Sequence, residues 1–254
     1  MSFLEISITD KPKLNNAILI EGLPGIGNVG KLAVSHLINV LNAKKSLEIY
    51  SSSLPPQVKI NKGGIVSLTN NEFHYYKNSS NQRDIIFLTG EHQGLDHEGQ
   101  YDLCIKIIEL AKEMGVTEII TLGGYGLGKI VDNPRVLGAA TSTSMVNKLK
   151  KAGVQFSEDQ EDSNAGIVGA SGLLLGLGRL EGLEGGCLMG ETSGYIADPK
   201  SAREILLILQ KLLSIEIDLS ELDDKVKKVG AITKHLTDLS NPLEESESDI
   251  KYIE

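Results

Sequence analysis

Residues 17–40 read Ala-Ile-Leu-Ile-Glu-Gly-Leu-Pro-Gly-Ile-Gly-Asn-Val-Gly-Lys-Leu-Ala-Val-Ser-His-Leu-Ile-Asn-Val. An apolar run ends in a glycine turn, and a helical pattern begins directly after it. Gly25, Gly27 and Gly30 fit G-x-G-x-x-G in the strand–turn–helix setting of a dinucleotide fingerprint. Glu48 stands at about the distance where a ribose-binding acid is sought. The obvious reading is a nucleotide-dependent enzyme, with phosphate cradled by backbone amides at a helix start. Two features weigh against it. Pro24 removes one donor at the turn, and close strand-to-helix packing calls for glycines in any case.

Outward from this stretch, the chain alternates. Apolar runs bounded by turn residues predict buried strands at 17–21, 46–50, 84–89, 118–122 and 186–190. Two shorter runs, 64–69 and 72–77, flank Asn70-Asn71 and read as a hairpin. Helical stripes fall at 98–114, followed by Gly115, and at 199–213, opened by Asp198 and Pro199. Gly166 to Gly178 reads as a glycine-spaced apolar helix. Strands alternating with helices predict a three-layer α/β/α sandwich around a mostly parallel sheet. One such domain is expected over 1–215. Leu219, Leu222, Val226, Val229, Ile232, Leu236 and Leu239 then make an amphipathic C-terminal helix over 216–239. Residues 240–254 hold five acids and one base, which predicts a disordered acidic tail. It closes on the apolar Ile250, Tyr252 and Ile253.

Composition narrows the partners. The 254-residue chain is 41% hydrophobic and 23% charged, as an ordinary globule is. A net charge of -9 and 4% aromatic residues, with no Trp, argue against nucleic acid. Apolar runs fall short of a membrane span and no signal peptide is visible, so a cytoplasmic protein is expected. Cys104 and Cys187 lie in apolar segments and read as reduced core thiols.

Other chemistry is weaker. Gly123-Gly-Tyr-Gly-Leu-Gly-Lys-Ile130 imitates a P-loop, but Ile130 replaces the Ser/Thr that would hold magnesium. Ser171 in Gly169-Ala-Ser-Gly-Leu173 lacks the second glycine of a nucleophile elbow, and Ser193 lacks both. Glu21, Glu91 and Glu191 fall at or just past the carboxyl ends of predicted strands, where ligands bind in open α/β sheets. With Gly25, Gly27, Asn28 and Gly30 they outline an alternative crevice for a nucleotide- or metal-binding enzyme. His92 and His97 near Glu91 lack the fixed helical spacing of a metal pair. No cofactor or metal is expected.

Five motifs in order are more specific: Glu-Gly-Leu-Pro-Gly-Ile-Gly-Asn-Val-Gly30, Leu-Gly-Gly-Tyr-Gly-Leu-Gly-Lys129, Asn-Pro-Arg-Val-Leu-Gly-Ala-Ala-Thr141, Gly-Ile-Val-Gly-Ala-Ser-Gly-Leu-Leu-Leu-Gly176 and Gly-Glu-Thr-Ser-Gly-Tyr195. Together, over roughly residues 15–220, the chain resembles the archaeal proteasome assembly chaperone family. The resemblance implies a phosphorylase/hydrolase-like α/β/α sandwich, a homo-oligomer, no established catalysis, and binding to the 20S proteasome or its α-subunits. Some archaeal members end in a hydrophobic–Tyr–any-residue tail that docks between adjacent α-subunits. Here Tyr252 is third from the end, followed by Ile253 and Glu254, so the register is shifted by one. Those three residues are the expected protein-binding site.

Overall fold

A computed structural model describes residues 3–78, 83–157 and 166–231. Its strands are β1 (Leu4–Ile8), β2 (Ala17–Glu21), β3 (Lys44–Ser51), β4 (Val58–Ile60), β5 (Val66–Leu68), β6 (Asn71–Tyr76), β7 (Ile85–Gly90), β8 (Val116–Gly126), β9 (Val136–Ala140) and β10 (Glu184–Thr192). The helices are α1 (Val29–Val40), α2 (His97–Glu113), α3 (Thr143–Ala152), α4 (Ala170–Leu180) and α5 (Pro199–Leu213). A further helix, α6, occupies 220–231.

Eight strands form one sheet in the order β1-β3-β6-β7-β2-β8-β10-β9. The centre, β7-β2-β8-β10, is parallel. The strands outside it pair antiparallel. β2 sits at the middle with all five residues buried, because helices cover both faces. The period-two alternation of a strand assigns its side chains to opposite layers. Ile18 and Ile20 pack with α1, α3 and α5, through residues such as Val34, Leu37, Leu149 and Ile205. Ala17 and Leu19 pack with α2 and α4, through Leu103, Ile107 and Leu174. Each fully buried aliphatic side chain stabilises by about 1.5–3 kcal/mol. The expected α/β/α sandwich is the fold.

Helix ends follow the sequence signals. The Asp96 carboxylate accepts from Gly99 N at 2.8 Å, and that of Asp198 accepts from Ser201 N at 3.0 Å. Gly115 follows α2 with φ +84°, as a C-terminal glycine cap should. Of the stripe after α5, Leu222 is buried and Leu219 packs against the core. Ile232, Leu236, Leu239 and the tail lie outside the described residues.

Three expectations need correction. The 64–69/72–77 hairpin does not form. β6 joins the main sheet between β3 and β7, while β5 pairs with β4 in a separate two-stranded ribbon. Asn70 and Asn71 are buried and bond Glu48 and the His92 carbonyl, so they anchor rather than turn the chain. The P-loop-like run is not a loop at its start, since Gly123–Gly126 continue β8 and pair with Met189–Thr192 of β10. α4 begins at Ala170 rather than Gly166. Among the described residues no helix is long and apolar enough to cross a membrane.

Candidate functional site

The glycine turn after β2 is built from two left-handed residues, Gly27 (φ +61°) and Asn28 (φ +49°). Gly27 sits against Thr192, where a side chain would crowd the threonine hydroxyl. A Cβ on Gly30 would overlap the Leu122 carbonyl, so this glycine lets α1 lie directly on β8. Gly25 is extended, with open space around its Cα. Two of the three fingerprint glycines thus have packing duties. Asp198 N donates to the Gly27 carbonyl at 2.9 Å and ties the turn to the start of α5.

The three glutamates do not converge. Glu21 is fully buried at the end of β2, facing α4. Its Oε1 accepts from Leu23 N at 2.8 Å and its Oε2 from the Ser171 hydroxyl at 2.9 Å. Burial pushes its carboxyl up to about 7, against the pull of these donors. Cys104 and Cys187 lie nearby, and burial pushes both thiols up to about 12, so they are inert core groups.

Glu191 lies on β10. Glu21 and Cys187 both pair with Thr121, so Glu191 is four residues, about 13 Å, further along the strand direction. It too is buried, yet the Arg135 guanidinium grips it through Nε at 2.9 Å and through Nη2, and Arg135 N donates at 3.0 Å. That cation holds the carboxyl below its ordinary value. Glu91, just past β7, is half exposed and 3.6 Å from Lys31 Nζ, which also donates to the Gly90 carbonyl. His92 Nε2 lies 2.9 Å from the Gln57 amide, and His97 is exposed at the first turn of α2. Among the described residues no group of three or more His, Cys, Asp or Glu side chains is arranged to hold a metal ion.

Sequence reasoning missed Ser171 and Arg135 as the partners of the two buried acids. They lie 150 and 56 residues away, beyond any local pattern. It also missed what the glycine loops carry outward. Ile26, Tyr125, Ile130, Tyr195 and Ile196 are all exposed at the carboxyl end of the sheet. Ile26 packs over Gly126 and Gly194, and the Tyr195 hydroxyl lies over Gly128. Glycines here leave room beneath an apolar rim, and such rims mark protein contacts.

The chain belongs to the PAC2 family, whose pattern matches residues 19–237. It is 38% identical over 264 residues to the uncharacterized protein MJ1210 of Methanocaldococcus jannaschii, covering the whole of both chains. It is similar to Pyrococcus furiosus PbaB, an archaeal proteasome activator, with 40% identity and a TM-score of 0.87 over 92% of this chain and 98% of that one. Pyrococcus furiosus PbaA, an archaeal homolog of proteasome-assembly chaperone, follows at 26% identity and a TM-score of 0.74, over 96% and 95%.

Proposed function

We propose that this protein is a cytoplasmic proteasome assembly or activation factor that binds the 20S proteasome or its α-subunits and catalyses no reaction of its own. The likeness to PbaB carries this reading, because it extends over nearly the full length of both chains. The buried acids support it, since Glu21 and Glu191 already accept from protein donors. In this reading the glycine turns shape a rigid body, and Tyr252, Ile253 and Glu254 anchor it to the proteasome. A tyrosine buries a large ring at low entropic cost and keeps a hydroxyl for a hydrogen bond. The protein acts as a homo-oligomer, because several weak tails gain roughly 10²–10⁴-fold through effective concentration.

The test is a pull-down of purified 20S proteasome and free α-subunits with full-length protein and with a variant lacking 252–254. Deletion is expected to weaken proteasome binding at least about tenfold at unchanged oligomeric mass. Tyr252→Phe should retain more binding than Tyr252→Ala, since it loses only the hydroxyl. Equal binding by full-length and truncated protein would move the contact to the folded body and its apolar rim.

A further inference from the structure

The β4–β5 ribbon is built inside out. Its register pairs Val58 with Leu68, Lys59 with Ser67 and Ile60 with Val66. Strand alternation therefore puts Val58, Leu68, Ile60 and Val66 on one face and the polar pair on the other. The apolar face is the more open: Val58 is 51% exposed, Ile60 77%, Val66 59% and Leu68 52%, while Lys59 and Ser67 are half-buried. Ile65 at the tip is 69% exposed. An antiparallel pair with one solvated face normally turns its polar side to water. An isolated two-stranded hairpin is also marginally stable in water. An uncovered apolar ribbon on a folded body marks a contact surface.

A groove of about 600 Å³ opens at the base of the ribbon. Val58 and Leu68 line it, together with Phe3, Leu54, Pro55 and Pro56. The ribbon thus offers both a projecting apolar tip and an apolar cleft at its foot, on one continuous surface. Its charge points the same way. Residues 57–68 hold no acid, and Lys62 places a positive charge at the tip, while Lys59 lies on the opposite face, on a chain of net charge -9. At the foot Glu5, exposed, stands cross-strand from Tyr50 of the groove.

We propose that the occupant of this surface is a second copy of the chain, with the two ribbons packed face to face about a two-fold axis. That arrangement sets the Val58–Leu68 layer of one ribbon against the Ile60–Val66 layer of the other. It carries each Ile65 and its basic tip towards the partner's groove, and the contact is self-complementary, as an isologous interface must be. This inference rests on the homo-oligomer proposed above and names the surface that builds it.

The test is light scattering of wild type and of Ile60→Glu/Val66→Glu at low micromolar concentration, with circular dichroism and thermal midpoint as folding controls. Both positions are exposed, so the variant is expected to fold with an unchanged circular dichroism spectrum, its midpoint falling only by what the lost subunit contact contributed. Two carboxylates on each ribbon would be forced together and desolvated, raising the dissociation constant at least about 100-fold and lowering the mass. A wild-type monomer would overturn the oligomer itself. An oligomeric wild type with an unchanged variant would overturn the ribbon alone. As a second measurement, mixing single variants Ile60→Cys and Gln57→Cys with a short bismaleimide should yield a mixed dimer, while buried Cys104 and Cys187 stay unreacted. Absence of that dimer in an oligomeric mixture would likewise overturn the ribbon.

Discussion

Glu21 and Glu191 are the same residue type, both buried, both near the carboxyl ends of strands in the parallel centre. Their protonation differs in direction. Glu21 meets a hydroxyl and a backbone amide, which are neutral donors, and desolvation wins, so its carboxyl rises to about 7. Glu191 meets a guanidinium, and the cation wins. Burial alone therefore does not decide the charge of an acid at a strand end; the charge of its partner does. The contrast also assigns each a task. Glu21 fastens the first turn of α4 to β2, and Glu191 fastens the segment before β9 to β10. Two such acids with values pushed apart can signal an acid–base pair. Here they stand too far apart and too well partnered to act on one ligand.

The sharpest way to break the contrast is Glu21→Gln. The folded value of Glu21, about 7, lies above its ordinary 4.5, so the folded state holds the proton more tightly. Its contribution is full below pH 4.5 and is lost as pH rises through about 7. The difference bounds the loss at about 3 kcal/mol. Glutamine can accept from Leu23 N and donate to the Ser171 hydroxyl without titrating. Urea unfolding between about pH 5 and pH 8.5 should show wild type losing stability and Glu21→Gln holding level, ending above wild type. Parallel curves would mean that Glu21 titrates like an exposed carboxylate.

The elements that make these two sites were unequally legible in the sequence. β2 could be read because a strand covered on both faces must be apolar throughout, and Ala17–Ile20 are. α2 and α5 could be read because cap, stripe and terminating residue agreed. β9 could not, because Val-Leu-Gly-Ala-Ala pairs on one side only and carries little bulk. α3 offers just Met145, Leu149 and Ala152 as buried apolar residues over ten positions, too few for a stripe. The run 64–69 could be read and contains β5, but β4 and its pairing with β5 could not, because the ribbon's apolar face points outward, against the rule used to find strands. At the candidate site, the glutamates were found as residues of interest and their partners were not. A hydrogen bond from Ser171 to Glu21 depends on how α4 lies across the sheet, and no spacing records that.

A second, smaller perturbation is Arg135→Gln. Glu191 has a folded value below 4.5, so its contribution is present above 4.5 and lost as pH falls through the lowered value. Without the guanidinium the carboxylate stays buried with only the Arg135 backbone amide, and its value climbs. Thermal unfolding should show a lower midpoint at pH 7 and, as pH falls below 4.5, a shallower acid-induced loss than in wild type, because the folded value lies closer to 4.5. The effect should fall below that of Glu21→Gln, because the Arg135 side chain is 58% exposed and solvent screens the pair. An unchanged acid limb would show that backbone donation alone holds Glu191 charged.

The smallest effect is expected from Ser171→Ala, and it discriminates best. The hydroxyl is a donor, and a donor favours the charged carboxylate over the protonated acid. Charge-assisted hydrogen bonds are roughly twice as strong as neutral ones. Removing Ser171 Oγ should therefore cost about 1 kcal/mol near pH 8.5 and less near pH 5, where Glu21 carries its proton. The same removal pushes the Glu21 value above about 7, so the loss of stability still sets in above pH 4.5 but continues to higher pH and runs deeper. Amide exchange in the first turn of α4 should quicken more at the higher pH, because that turn loses its tie to β2 when the tie is strongest. In the Glu21→Gln background the serine change should show no dependence on pH at all, since nothing there titrates. An equal loss at both pH values in the native background would make Ser171 a packing residue only, and would leave burial without a cation as what separates Glu21 from Glu191.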